Sequence, residues 1–482
     1  MRTAAFFGAV LVAAATFVPP ASADLGAVHP EVLKATAAVR EAKGPEVYAA
    51  LRDLWRIWDR ADPAQVEAAL ESVVQSQTLS PPVRSYAELL GAYARRRRGD
   101  LDGALARVAK LGFVRRWLTI GPFDNENKAG FDRAYGPEGE QDAPISALRT
   151  YDGKERPVRW RQPPEVLHYG WFDFGDLIRP RENVCAYGTT FVRAKDGTRA
   201  PRQVSLWMGS AGAIRVLWNG EVVLEDGAYR ELDIDRFATT VTLKAGQNRI
   251  TVKVCGDDDA PKFTLRIADE QGAPDLGVEV SATLDAAPPA RPAPAPKATT
   301  APPPPPKPAP AKPPPSPAPK KPGDEPEKPV SVGVPNTPAP ARPGPPARGN
   351  LLGPVQQFER ATAGAHPPAP VLESYARYLA ITGGDPDGEH KARDLARRAA
   401  DAAPTVQRLL LAGDLAEDRN QQREWIRRAA ELAGPRRDLD VLLKQAELER
   451  SGPNWRDAVP IYDRILAADP DHVSAILGRV EL

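Results

Sequence analysis

Two cysteines, Cys185 and Cys255, are the only thiols in the 482 residues. A thiol becomes a nucleophile when a neighbouring base or cation lowers its pKa, and no histidine stands in a motif directed at either one. The five histidines, His29, His168, His366, His390 and His472, are scattered and show no ligand spacing for zinc. Asp233 and Asp235 form a carboxylate pair of the kind that does acid/base work on a glycoside, but nothing beside them predicts a raised pKa, and they read as a solvated face. Asp257, Asp258 and Asp259 offer the oxygen ligands that calcium favours. They lack the spaced Asp-x-Asp pattern of a dedicated calcium loop and read first as a solvated hairpin turn. Trp160, Tyr169, Trp171, Trp207, Trp218 and Tyr229 are the aromatics whose faces could stack on a pyranose, against the alternative that they fill a core. Trp218 alternates with Ile214 and Val216 and goes to the core. Tyr169 and Trp171, ahead of a polar, glycine-containing segment, and Tyr229 are the ligand candidates. No catalytic residue is assigned.

The elements that would position these groups change period along the chain. Residues 30–111 read as helical: Val47, Leu51, Leu54 and Trp58 recur at spacings of three and four, while Pro45, Pro63 and Pro81-Pro82 punctuate the run. Three or four short helices are expected. Arg95 to Arg98 read as the cationic end of one of them, where the helix dipole favours positive charge, rather than as a nucleic-acid patch. Beyond Trp117 the period becomes two. Ile214, Val216 and Trp218 precede Asn219-Gly220, a strong hairpin signal because a type I′ turn needs positive φ at both central positions. Ile250, Val252 and Val254, then Phe263, Leu265 and Ile267, repeat the alternation. Several such strands separated by turns predict an antiparallel β-sandwich.

Of the 53 prolines about half fall between residues 285 and 350. That stretch has too little apolar surface to offset the entropy of ordering, and it predicts an extended spacer reaching about 200 Å when fully stretched. Its lysines suit contact with anionic cell-wall polymer. After residue 351 the helical period returns. Ala458, Tyr462, Ile465 and Pro470 stand at the same offsets as Ala392, Ala396, Ala399 and Pro404, the pattern of small residues, a larger filler and a terminating proline that stacked helical pairs need.

The N-terminus sets the compartment. Arg2, an apolar run over 4–18, Pro19-Pro20 and Ala21-Ser22-Ala23 read as a signal peptide cleaved before Asp24, the run being shorter than a spanning helix needs. The mature chain is expected to be periplasmic or secreted, with no later membrane span. In an oxidising compartment Cys185 and Cys255 are candidates for a disulfide, which spacing alone leaves open. With 64 basic and 63 acidic side chains, net charge +1, nothing points to nucleic acid.

Three stretches resemble known families. Residues 454–470, with Ala458, Tyr462, Ile465 and Asp469-Pro470, resemble a tetratricopeptide repeat. Residues 216–223 and 243–254 resemble the galactose-binding-like jelly roll, and Trp117-Leu118-Thr119-Ile120-Gly121-Pro122-Phe123-Asp124-Asn125 is similar to the start of that module in large exported bacterial proteins. Some of those carry a transglutaminase-like domain further on, for which no stretch here supplies the Cys, His and Asp. The expected map is therefore a signal peptide at 1–23, a helical domain at 24–112, the jelly roll at 113–284, the spacer at 285–350, and tetratricopeptide-like repeats at 351–482 that stop about ten residues into a further unit. The resemblance implies a non-catalytic scaffold, holding a protein partner on its repeats and a cell-envelope or extracellular glycan on its jelly roll. It implies no cofactor beyond a structural calcium. The alternative is the non-catalytic N-terminal portion of an exported transglutaminase-like enzyme, peptidase or glycoside hydrolase.

Overall fold

The computed structural model describes residues 28–164, 169–195, 200–284, 351–380, 386–434 and 438–482. The expected signal peptide and spacer lie outside the described residues, as does His168. Five helices come first, one or two more than expected: α1 (Pro30–Glu41), α2 (Glu46–Arg56), α3 (Pro63–Val74), α4 (Pro81–Arg97) and α5 (Leu101–Val108). Their starts are local chemistry. Asp62 accepts a hydrogen bond from the Ala64 amide with Pro63 following it, and Asp100 accepts from the Gly103 amide to begin the fifth helix. Val47, Leu51 and Leu54 point inward from α2, while Trp58, past its end, sits partly buried at the margin of the same core.

The chain then forms β1 (Leu118–Asp124), the single-turn helix α6 (Gly136–Gly139), β2 (Thr150–Asp152), β3 (Pro157–Arg159), β4 (Phe172–Asp173), β5 (Val184–Ala194), β6 (Arg202–Ala211), β7 (Ala213–Trp218), β8 (Glu221–Asp226), β9 (Phe237–Leu243), β10 (Asn248–Cys255), β11 (Lys262–Ala268) and β12 (Val278–Ser281). The strand pairings among the described residues are antiparallel. One sheet runs β1-β5-β10-β7-β8, with β12 also on β5; the other runs β4-β11-β6-β9; β2 and β3 pair by themselves. Ile214, Val216, Ile250, Val252 and Val254 of the first sheet share a core with Val204, Leu206, Met208, Phe263, Leu265 and Ile267 of the second, so the two sheets pack face to face. The β7–β8 turn takes φ +51 at Asn219 and +81 at Gly220, as a type I′ turn requires.

Both outer faces are covered. Residues 126–160 lie over the larger sheet, so that Arg249, Thr251 and Lys253, alternating with the core valines, are buried as well. The first helices lie over the smaller sheet. The chain resumes as α7 (Pro354–Thr362), α8 (Ala369–Ala380), α9 (Pro386–Ala402), α10 (Val406–Asp414), α11 (Arg419–Ala433), α12 (Leu439–Arg450), α13 (Val459–Ala468) and α14 (Val473–Val480). The segment entering α7 crosses the backbone of β9 so closely that a Cβ on Gly353 would stand 2.5 Å from the Phe237 Cα. The eighth helix packs against α2, and the later helices follow as successive neighbours. Fold and sequence thus agree on mixed helical and antiparallel-sheet content. No helix among the described residues is long and apolar enough to cross a membrane.

Candidate functional site

A buried cluster of ionisable groups lies where the first helices, the smaller sheet and α8 meet. Asp233 and Asp235 sit in the connection between β8 and β9, and they are 3% and 2% exposed. The solvated face expected for this pair is therefore corrected: two segments remote in sequence close over it. Gly209 on β6 permits the approach, since a Cβ there would collide with the Asp233 carbonyl. Asp235 adopts φ +57, a conformation that short polar side chains tolerate best.

Arg52 from α2 organises the cluster. Its Nη2 lies 2.5 Å from Asp233 Oδ1, its Nε donates to the Tyr86 hydroxyl at 2.9 Å, and its Nη1 donates to the Tyr378 carbonyl at 2.8 Å. The Tyr378 ring stacks 3.5 Å from the guanidinium carbon. Arg236 Nη1 holds the other Asp233 oxygen at 3.0 Å, and Arg266 Nε holds Asp235 Oδ2 at 2.7 Å while lying over Trp207. Three guanidiniums thus surround two carboxylates. Burial raises the Asp235 pKa, outweighing the pull of Arg266 and its hydrogen bond. Asp235 Oδ1 and both Arg266 Nη atoms have no hydrogen-bond partner among the described residues. A charge set of this kind tolerates no loss of a member, because each removal strands another charge away from water.

A second set lies under residues 126–160. Lys253 on β10, fully buried, sits 2.9 Å from Glu138 Oε1, Arg215 sits 2.9 Å from Glu138 Oε2, and the Tyr187 hydroxyl donates to Glu138 at 2.6 Å. Burial pushes the Glu138 pKa up, but Lys253, Tyr187 and Arg215 together hold it below the usual carboxylate range. Beside it Cys185 and Cys255, register partners on β5 and β10, are joined in a disulfide. That places both sulfurs in a core of Phe123, Tyr135, Trp160 and Tyr187.

The remaining candidates are dispersed. Asp257 pairs with Lys128 at 3.0 Å, and Asp258 and Asp259 point to solvent. Among the described residues no three His, Cys, Asp or Glu side chains gather as a metal site. The Tyr229 hydroxyl lies 3.1 Å from Asn125 Nδ2, its ring faces Lys128, and burial pushes its pKa up to about 12. Tyr169 and Trp171 stand side by side at 6.2 Å beneath Arg96. Trp160, Trp207 and Trp218 are buried. Ala458, Tyr462 and Ile465 share a small core with Ala475, and exposed Pro470 follows the end of α13. A Cβ on Gly478 would meet the Tyr462 ring, so glycine at this one position lets α13 and α14 approach closely. His29 and His472 cap helices. A groove of about 470 Å³ between α1 and α3, floored by Val32 and Ala69, adjoins His29, whose amide donates to the lining residue Gln65.

Sequence reasoning missed Arg52, Tyr86, Arg266, Glu138 and Lys253. The available signal was a charged residue inside an otherwise core-facing stretch, as Arg52 is between Leu51 and Leu54.

No protein-family model matches the chain, and no curated protein matches it. Among solved structures, the crystal structure of a β-glucosidase from Kluyveromyces marxianus in complex with glucose is similar over 32% of this chain and 15% of its own, at 12% identity and a TM-score of 0.19. The chain therefore spans well under two thirds of that protein, and a likeness this slight bears on neither fold nor activity.

Proposed function

We propose that the chain is an exported, non-catalytic scaffold, in which the C-terminal helices act as tetratricopeptide-like repeats for a protein partner and the two-sheet unit acts as a galactose-binding-like jelly roll for carbohydrate. One observation carries the reading: the groups best suited to chemistry are committed to structure. Asp233 and Asp235 are closed in by arginines from three parts of the chain, and both cysteines are spent on one disulfide. A general acid or nucleophile must reach its substrate, and these do not reach solvent.

The test incubates the secreted chain with a panel of plant and bacterial polysaccharides and measures retention and reducing-end release together. Retention without release is the expected result. Release abolished by Asp233→Asn or Asp235→Asn would establish a glycosidase and overturn the proposal. N-terminal sequencing of the secreted product should begin at Asp24; a product retaining residues 1–23 would remove the export step.

A further inference from the structure

The last helix is apolar on both sides. Ala475 and Gly478 of α14 are buried on the side that packs against α12 and α13. Val473, Ile476, Leu477 and Val480 lie on the opposite side, and all four are exposed, Leu477 at 58% and Val480 at 78%. Their spacing, i, i+3, i+4 and i+7, gathers them into one stripe about 100° wide. A helix with apolar residues all round belongs inside a structure, yet the described residues leave this stripe in solvent. A second apolar patch lies on the first helices. The groove of about 470 Å³ between α1 and α3 is floored by Val32 and Ala69, and Val28 and Leu33, both exposed, line its side. Of the twelve large apolar side chains exposed among the described residues, six lie in these two patches. Apolar exposure gathered in this way marks an interaction surface, where scattered single residues do not.

The two patches complement each other. One is a ridge and the other a groove, the arrangement by which an amphipathic helix docks through anchors at i, i+3, i+4 and i+7. Val473 to Val480 spans seven residues of helix rise, about 10 Å, and so does Leu33 to Arg40 along α1. Their charges match in the antiparallel sense. Asp471, exposed just ahead of α14, has no ion-pair partner among the described residues, and neither has Arg40, exposed where the groove meets the C-terminal end of α1. We propose that copies of this chain associate head to tail, α14 of one copy lying antiparallel to α1 in the groove of the next, with Asp471 beside Arg40. A contact between two different patches is heterologous, so it builds rings or open chains instead of closing as a two-fold pair. Pairing α14 with itself about a two-fold axis would cover the stripe and leave the groove and Arg40 open. The inference goes beyond the scaffold reading and does not depend on it.

The experiment measures sedimentation equilibrium of the full chain over a range of concentrations. The average mass should rise above that of one copy. Leu477→Glu on the stripe and Leu33→Glu in the groove should each weaken association roughly tenfold or more. Mixed in equal amounts, these two variants should regain dimers and stop there, because one supplies an intact stripe and the other an intact groove. Arg40→Asp and Asp471→Arg should each weaken association a few-fold, and the two together in one chain should restore it. All four positions are exposed, so every variant should keep the parent's far-UV circular dichroism when dilute. A parent that stays monomeric at every concentration would overturn the proposal and leave the two patches to other occupants. Association lost in Leu477→Glu but kept in Leu33→Glu would overturn it in favour of α14 pairing with itself. Mixed variants that stay apart, or a charge exchange that restores nothing, would overturn it as well.

Discussion

Arg52 reaches Tyr86, Asp233 and Tyr378, which are 34, 181 and 326 positions away in the chain. A single side chain thereby fixes the relative placement of three segments, and its loss leaves Asp233 buried with only Arg236 beside it. Breaking a buried pair by removing one partner typically costs about 3–5 kcal/mol. Arg52→Met, which keeps the apolar stem, should lower the unfolding free energy by that amount in urea titrations, and Arg52→Met with Asp233→Leu should recover part of it. A single-variant loss below about 1 kcal/mol would place the pair with surface ion pairs in energetic terms. The two buried carboxylates carry opposite pH signs. Asp235 has its folded pKa raised by burial, so its contribution is fully present below the usual aspartate range and is lost as pH rises through the folded value. Wild type should therefore lose stability relative to Asp235→Asn as pH climbs from acid toward neutral. Glu138 has its folded pKa lowered, so its contribution is present above the usual glutamate range and is lost on acidification; wild type should gain on Glu138→Gln over the same climb. Urea midpoints across that range read both slopes, and two slopes of the same sign would contradict the assignment.

At the level of elements, much of this architecture is legible in the sequence. The alternation at Ile214–Trp218 and at Ile250–Val254 reports strands, because each has one face on the core between the sheets. Proline and aspartate mark the starts of α3 and α5, because capping is decided within a few residues. What the sequence conceals is whatever a distant segment covers. Arg249, Thr251 and Lys253 alternate like a solvent face, yet residues 126–160 bury them, and no local pattern in β10 reports that cover. Asp233 and Asp235 are concealed for the same reason. The cysteines stand between these cases: the compartment suggested a bridge, and only the β5–β10 register brings position 185 opposite 255. That bridge spans a sequence separation of 70 residues, for which the loop-closure model gives about 4 kcal/mol of stabilisation through the unfolded chain. Replacing both cysteines by alanine should lower the unfolding free energy by roughly that amount and make the urea midpoint insensitive to reductant. A midpoint in the parent that reductant does not move would show that the bridge does not constrain the unfolded ensemble.

For the molecule as a whole, the question is whether the C-terminal helices belong to the body formed by residues 28–284 or are merely tethered to it. The joint has an apolar centre in Phe358, Tyr375 and Tyr378, all fully buried. It has specific polar contacts around that centre. Gln356 Oε1 accepts from the Ala238 amide at 2.9 Å, and Arg377 Nη2 lies 2.6 Å from Asp53 Oδ2. A tether alone raises effective concentration, to the millimolar range for short flexible linkers, and so holds together even surfaces that would separate when free. Cutting the chain between 285 and 350 removes that help and leaves the joint to its own affinity. With a protease site placed there, the two products of the parent chain should co-elute in size-exclusion chromatography after complete cleavage, because aromatic burial with satisfied charge pairs is what permanent interfaces use. The cleaved Arg52→Met chain should separate into two peaks at the same concentration, since it loses the hydrogen bond to the Tyr378 carbonyl and the guanidinium on the Tyr378 ring, the contacts that Arg52 makes across the cut. Separation of the parent products would mean that the C-terminal helices are held by the tether alone. The binding proposed for those helices and that proposed for the sheet unit would then be independent events rather than properties of one rigid body.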